Sequence, residues 1–341
     1  MSNQKIIILG PCSSMKEKSN TGGCIVLFEE WIDFCNKKSI DYLLIDTNKK
    51  NYRNKVFATI SIFISFIRNV CKCEKVFLHG SFKDYLILAP FIVFLCKILK
   101  KQIFLRKFAG SFNFFYSKSN FIKKTILNKV LKKADMVFWE TKELTDFWSK
   151  KGIRSFWFPN TRLRLSVRES NKKYQKRFVF ISRVTKEKGV EYLKDSFSQL
   201  GNDYSLDFYG PLSGYNDSFF IGDNYNYKGC LDSSNVCSVL SEYDVLVLPT
   251  FWKSEGYPGI IIEAFSVGIP IISTAIGGIP ELIKNGVNGF LIKTHSTEEI
   301  IKAVTRINKS NYSSLAKESY DSFANFDGNI VNNNILKLIM N

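Results

Sequence analysis

The stretch from Asp244 to Ile292, DVLVLPTFWKSEGYPGIIIEAFSVGIPIISTAIGGIPELIKNGVNGFLI, leaves few folds open. Apolar runs at 245–248, 270–273 and 289–292 have strand length, and helical segments at 258–268 and 279–284 lie between them. Strands joined through helices run parallel, because a tight hairpin can connect only antiparallel neighbours. Pro258 falls near the first position of its helix, where a missing N–H is harmless. That helix is apolar nearly all round (Ile260, Ile261, Ile262, Ala264, Phe265), which predicts burial. It also carries Glu263, and a carboxylate on a buried helix needs a partner.

The same alternation runs through the rest of the chain. Strand-length apolar runs fall at 5–9, 42–45, 76–78, 103–105, 136–139 and 155–160, with an amphipathic helix after Gly23 and helical stretches at 55–72, 84–100 and 119–133. A second series has strands at 178–181, 205–209 and 227–228, and helices at 188–200, 233–242, 296–308, 311–324 and 329–340. Two such series predict two doubly wound, Rossmann-like α/β domains. The expected boundaries are 1–160, a polar and basic linker at 161–176, a second domain at 177–325, and a C-terminal helix at 326–341 packing back towards the first. With 341 residues, the chain can bury two full cores. Parallel sheets bind ligands at the carboxyl ends of their strands. Gly22-Gly23, His79-Gly80-Ser81 and RKFAGSF at 106–112 occupy such ends. Adjacent glycines there let a backbone approach a ligand, although a plain tight turn explains them equally well. A histidine capping a strand end is likewise as good a reading of His79 as a catalytic one.

Charge separates the two halves. Of the 48 Lys and Arg, 31 fall in residues 1–168 beside 12 of the 31 Asp and Glu, so that half carries +19 and the remainder −2. In the first half, lysines interleave with phenylalanines along the helical stretches. Part of this is core packing with a solvated face; the excess suits a domain resting on an anionic membrane surface. No apolar run reaches the roughly 20 residues of a bilayer span, and the first one, at 6–9, is only a strand long, so no signal peptide is expected. The eight cysteines form no CxxC pair and read as reduced, buried thiols of a cytosolic protein. Two histidines, His79 and His295, make a zinc site a poor reading.

Four motifs together carry a family resemblance: EGYPGIIIEA at 255–264, GIPIISTAIGGIPELIKNGVNGFLI at 268–292, SRVTKEKG at 182–189, and Gly22-Gly23 between the first strand and helix. On these the chain resembles the GT-B glycosyltransferases, most closely the retaining nucleotide-sugar enzymes of glycosyltransferase family 4. The resemblance implies a GT-B fold, α/β with two Rossmann-like domains facing each other across a cleft. It implies that Arg183 and Lys188 bind the donor diphosphate, Arg183 through its planar fork and Lys188 as a point charge. Glu263 would accept the ribose hydroxyls and Glu255 would meet the transferred sugar. The backbone at Gly256, Tyr257 and Gly259 would face sugar and phosphate, Gly22 and Gly23 would also belong to the donor site, and Gly210 and Cys230 would lie by the base. Ion pairs are the alternative for the charged residues, and turn geometry for the glycines. Gly277-Gly278 with Glu281 reads as architecture. Gly259 stands where the family usually has an aliphatic residue, which would enlarge or loosen the sugar pocket. On the acceptor side, Arg106 and Ser111 fall in a segment that resembles the acceptor-facing loop of some cell-surface polysaccharide transferases, and topology puts His79 near the same cleft. No metal and no cofactor are implied, because cations and helix N-termini stabilise the leaving diphosphate.

The expected function is therefore retaining transfer of a sugar from a nucleotide-sugar donor, a UDP-sugar favoured, to a lipid-linked saccharide in polysaccharide, O-antigen or capsule synthesis. The expected location is cytoplasmic, peripheral on the inner face of the membrane. A GT-B epimerase or sugar-phosphate synthase acting on soluble substrates is the alternative, but it leaves the +19 half unexplained. A nucleic-acid binder would match the charge only, since no binding module is present, and nucleic acid is not an expected partner.

Overall fold

The computed structural model describes residues 5–14, 23–108, 110–164 and 172–341. The chain divides into two compact units, Met1–Pro159 with Val331–Asn341, and Asn160–Ile330.

In the first unit the strands are β1 (Ile6–Gly10), β2 (Tyr42–Asp46), β3 (Lys75–Gly80), β4 (Gln102–Lys107), β5 (Met136–Trp139) and β6 (Ser155–Trp157), all parallel in the order β2-β1-β3-β4-β5-β6. The direction of winding along the sheet reverses between β1 and β3, which pair in parallel and register Ile6 against Lys75. Most of these strands are buried on both faces, hence their unbroken apolar runs. The helices are α1 (Gly23–Lys37), α2 (Lys55–Val70), α3 (Phe82–Ile98), α4 (Phe112–Ser117), α5 (Phe121–Lys133) and α6 (Lys142–Ser149). One face of the sheet packs Ile62 and Phe66 of α2, Leu88 and Ile92 of α3, and Leu127 and Val130 of α5. The other packs Phe28 and Trp31 of α1 against Ile335 and Ile339 of the C-terminal helix. Lys75 Nζ donates 2.8 Å bonds to the carbonyls of Ile339 and Met340 there, where helix carbonyls lack partners.

The outward side of α2 is unusual. Its buried residues recur every four (Ala58, Ile62, Phe66, Val70), yet Val56, Phe57, Ile60, Ile64 and Ile67 are exposed. From Thr47 to Cys73 there are six Lys or Arg and no acid. Phe63 meets Phe91 of α3 with ring centroids 4.7 Å apart, and α3 adds exposed Ile87, Phe94 and Ile98. No helix among the described residues is long and apolar enough to cross a membrane.

The second unit contains β7 (Arg177–Ile181), α7 (Val190–Ser198), β8 (Ser205–Tyr209), β9 (Tyr225–Tyr227), α8 (Val236–Glu242), β10 (Val245–Leu248), α9 (Gly259–Val267), β11 (Ile271–Thr274), α10 (Ile279–Leu282), β12 (Gly289–Ile292), α11 (Thr297–Arg306) and α12 (Tyr312–Ser322). Its parallel sheet is ordered β12-β11-β10-β7-β8-β9, so the direction of winding reverses between β7 and β10. Helix α7 packs beside α11, and α9 beside α8 and α12. Strand β9 lies two residues earlier than its apolar pattern suggests, because Leu206 of β8 pairs with Tyr225. The last helix, α13 (Gly328–Met340), follows. The start of the stretch expected as a linker is structured. Arg162 N donates to Phe326 O (3.1 Å) and Arg162 O accepts from Gly328 N (2.9 Å), which stitches it to the second unit.

Candidate active site

The reversal point between β7 and β10 is where a doubly wound sheet opens a crevice, and the charged residues of the second unit gather there. After β7, Arg183 is exposed and has no ion pair among the described residues. A 3-10 turn, Lys186–Lys188, ends at Gly189 with φ +75°. A Cβ at Gly189 would overlap the carbonyl of Pro249 at the end of β10, so only glycine lets the start of α7 lie so close to that strand end. That approach brings Lys188 Nζ into an ion pair with Glu255 Oε1. Glu255 is buried, and the same oxygen accepts a 2.9 Å bond from Thr250 Oγ1. The main chain of Glu255 rests on the 277–278 turn: Gly278 N donates to its carbonyl, and Gly277, at φ +56°, leaves no room there for a Cβ. Gly277-Gly278 thus acts as architecture under the acid. A carboxylate removed from water is tolerable only with such partners.

Beyond Glu255 the loop turns into α9. Gly256 and Tyr257 are buried; Tyr257 Oη donates to Glu281 Oε2 (2.5 Å) and Tyr257 O accepts from Asn160 Nδ2 (2.6 Å). The first N–H groups of a helix have no partner within it and carry partial positive charge. One turn on, Glu263 is half-buried and paired with Arg162, Nε to Oε1, at 2.6 Å. The Gly259 position differs from expectation. A Cβ built there would overlap Nη2 of Arg162, so the space left by the glycine is filled by a guanidinium, and no enlarged pocket results. Gly210 (φ +129°) passes against the Ser182 carbonyl, where any Cβ would collide, and its own carbonyl accepts from Tyr227 Oη. Cys230 lies exposed just beyond the residue whose carbonyl accepts from Gly210 N, Gly229.

The structure therefore brings Lys188, Glu255 and Thr250 together, and separately Glu263, Arg162 and Gly259. Arg183 follows the same strand as Lys188 and forms no ion pair with either group among the described residues. Asn160, Arg162 and Thr250 are absent from any motif reading. Arg162 sits in a polar run that resembles a linker, and only the return of the chain at 326–328 fixes it in place.

In the first unit, the reversal point between β1 and β3 opens onto a cavity of about 700 Å³. Its lining includes Lys49, Lys83, Lys107, Phe82, Phe108 and Phe115. Lys107 is buried, and burial lowers its pKa. Gly23, the first residue of α1, also lines this cavity, and a Cβ there would meet nothing. Gly22 lies outside the described residues. His79 is fully buried in a cage of Phe28, Trp31, Phe77 and Phe108, and neither ring nitrogen has a hydrogen-bond partner among the described residues. Burial, and secondarily the charge of Arg106, pushes its pKa well below the usual value. Arg106 is buried beside it, its guanidinium stacked 3.4 Å from the Phe158 ring centroid, and burial lowers its pKa to about 9. Ser111 is buried at the start of α4 and makes no side-chain cap bond. In this structure His79 and Arg106 are core residues and do not line the cavity. Among the described residues no group of three or more His, Cys, Asp or Glu could hold a metal ion.

Two doubly wound units of this kind make up the GT-B architecture. The crystal structure of HepE from Anabaena in complex with UDP superposes with a TM-score of 0.75 at 12% identity, covering 99% of this chain and 100% of that one. Residues 164–324, which lie largely in the second unit, match the family model described as glycosyl transferases group 1. The chain is 39% identical over 74 residues to the Escherichia coli UDP-Gal:alpha-D-GlcNAc-diphosphoundecaprenol alpha-1,3-galactosyltransferase, covering 22% of this chain and 19% of that relative. It is 30% identical over 132 residues to a Bacillus subtilis (strain 168) protein provisionally named as the teichuronic acid biosynthesis glycosyltransferase TuaC, covering 39% and 33%. These alignments span a third or less of the relatives' own lengths.

Proposed function

We propose that this protein is a retaining glycosyltransferase of bacterial polysaccharide synthesis, taking a sugar from a nucleotide-sugar donor to a lipid-linked saccharide. The observation that carries this reading is the meeting of Lys188 and Glu255 at the β7/β10 reversal point, with Glu263 one helix turn further on. In the proposed mechanism Arg183 and Lys188 draw charge from the leaving diphosphate, assisted by the N–H groups at the start of α9. Glu255 takes hydroxyls of the sugar and orients its anomeric carbon. Glu263 takes the ribose, and the backbone at Gly210 and Cys230 borders the base. The leaving phosphate oxygen accepts the acceptor's proton, so transfer occurs on one face and configuration is kept.

The acceptor belongs with the first unit in this reading. A cavity lined by lysines beside phenylalanines suits a diphosphate attached to an apolar chain. The exposed apolar residues of α2, among six cations and no acid, suit an anionic bilayer surface. A relative that acts on a diphosphoundecaprenol-linked sugar, and a structural neighbour solved with UDP, support the same assignment. The test is incubation of the purified protein with a panel of UDP-, GDP-, ADP- and dTDP-sugars and a polyprenyl-diphosphate saccharide. The reading expects one donor class to be consumed with acceptor-dependent release of its nucleotide. Consumption of none, or equal transfer by Glu255→Gln, would overturn it.

A further inference from the structure

Gly259 and Arg162 are far apart in sequence and each is odd when taken singly. One is a glycine opening a helix at a position where no positive φ requires it. The other is an arginine outside every motif. Together they account for each other. The guanidinium donates through Nε to Glu263 Oε1 at 2.6 Å and through Nη1 to Thr161 O at 2.8 Å, while Nη2 lies in the space a Cβ at 259 would need. The Arg162 backbone is fixed on both sides by Phe326 O and Gly328 N. The side chain thus starts from a rigid base and ends on the carboxylate.

We propose that Arg162 is the positioning residue for Glu263, and that Gly259 is glycine to admit it. The inference rests on the reading of Glu263 as the ribose acceptor. Arg162 occupies Oε1 and fixes the rotation of the carboxylate, which presents Oε2 to the ligand. A carboxylate held in one orientation can accept from two neighbouring hydroxyls at once; one free to rotate loses that geometry for part of the time. The device therefore sharpens the preference for a ribonucleoside diphosphate over its 2′-deoxy counterpart. Alanine at 259 is compatible with the helix, so its main effect is to push the guanidinium away. Gly259→Ala should reproduce the loss of Arg162 without removing any polar group.

The experiment is isothermal titration of the full chain with UDP, ADP and GDP and their 2′-deoxy forms, with melting temperatures recorded alongside. The variants are Glu263→Gln, Arg162→Met, Arg162→Lys, Gly259→Ala and Arg162→Met/Gly259→Ala. The wild type should prefer the ribose form of its nucleotide by about tenfold. That preference should shrink to about twofold or less in Glu263→Gln, Arg162→Met and Gly259→Ala, with no further loss in the double variant, because both substitutions break one contact. Arg162→Lys should keep part of it. If Arg162→Met proves unstable, Gly259→Ala decides alone. Wild-type preference in Gly259→Ala and Arg162→Met, beside its loss in Glu263→Gln, would overturn this inference and leave the donor-site reading standing. Equal weakening of ribose and deoxyribose forms in Arg162→Met would also overturn it, since the guanidinium would then be touching phosphate. Binding of no nucleotide by the wild type would overturn the donor-site reading and this inference with it.

Discussion

The two units repeat one architecture and furnish it differently. In the second, the strand ends at the reversal point hold charged side chains already paired with each other: Lys188 with Glu255, and Arg162 with Glu263. In the first, the corresponding ends open onto a cavity of about 700 Å³ between lysines and phenylalanines. Paired, half-buried charges suit a ligand whose polar groups have fixed positions, as in a nucleotide sugar. A cavity with cations and aromatic walls suits a ligand that is anionic at one end and apolar elsewhere. The charge balance follows the same division, +19 in residues 1–168 against −2 in the rest. The fold supplies the crevice twice, and side chains decide its use.

Four substitutions press on this contrast. Glu255→Gln keeps the shape of the side chain but weakens the ion pair with Lys188. It should lower turnover by about 10²- to 10³-fold, read as nucleoside diphosphate release at saturating donor. Gly189→Ala forces a side chain into φ +75° and against the Pro249 carbonyl. It should cost about 2 kcal/mol in urea unfolding and weaken nucleotide binding, because the start of α7 must move away from the end of β10. Ile60→Glu/Ile64→Glu, on the exposed side of α2, should reduce co-sedimentation with phosphatidylglycerol vesicles about tenfold while leaving nucleotide binding unchanged. Retained vesicle binding would place the membrane contact elsewhere.

The smallest effect concerns His79. Its folded pKa lies well below 6.5, so on acidification the unfolded chain takes up a proton before the folded one does. Stability linked to this residue is therefore full above pH 6.5 and is lost as pH falls towards the folded pKa. His79→Phe, which suits the aromatic cage, should flatten that part of the stability profile between pH 7 and 5. An unchanged slope would mean that other groups dominate it.

The legible parts of the molecule were those set by local pattern. Buried parallel strands such as 245–248 announce themselves as short apolar runs, and Gly189 and Gly277 fall in motifs because backbone geometry demands glycine there. What was not legible depends on chain return. Arg162 lies in a polar stretch that local pattern reads as linker, yet residues 326–328 pin it beside Glu263. Gly259 could not be understood from its helix alone, because the group that fills its space lies almost a hundred residues earlier. Likewise, the side-chain environment of His79 is set by an aromatic cage assembled from α1, β3 and the segment after β4, so a polar residue at a strand end proved to be core. Helices α4 and α6 were missed because each is short, six and eight residues long.

The central claim is that donor recognition resides in the second unit and acceptor recognition in the first. Thermal protection of the full-length protein by UDP, ADP and GDP tests it most directly, comparing the wild type with Glu263→Gln and with Lys49→Glu/Lys83→Glu, which alters the cavity of the first unit. The account predicts that one nucleotide raises the melting temperature of the wild type and of Lys49→Glu/Lys83→Glu alike, and that Glu263→Gln loses most of this protection. Equal loss in Lys49→Glu/Lys83→Glu, or full protection of Glu263→Gln, would contradict it.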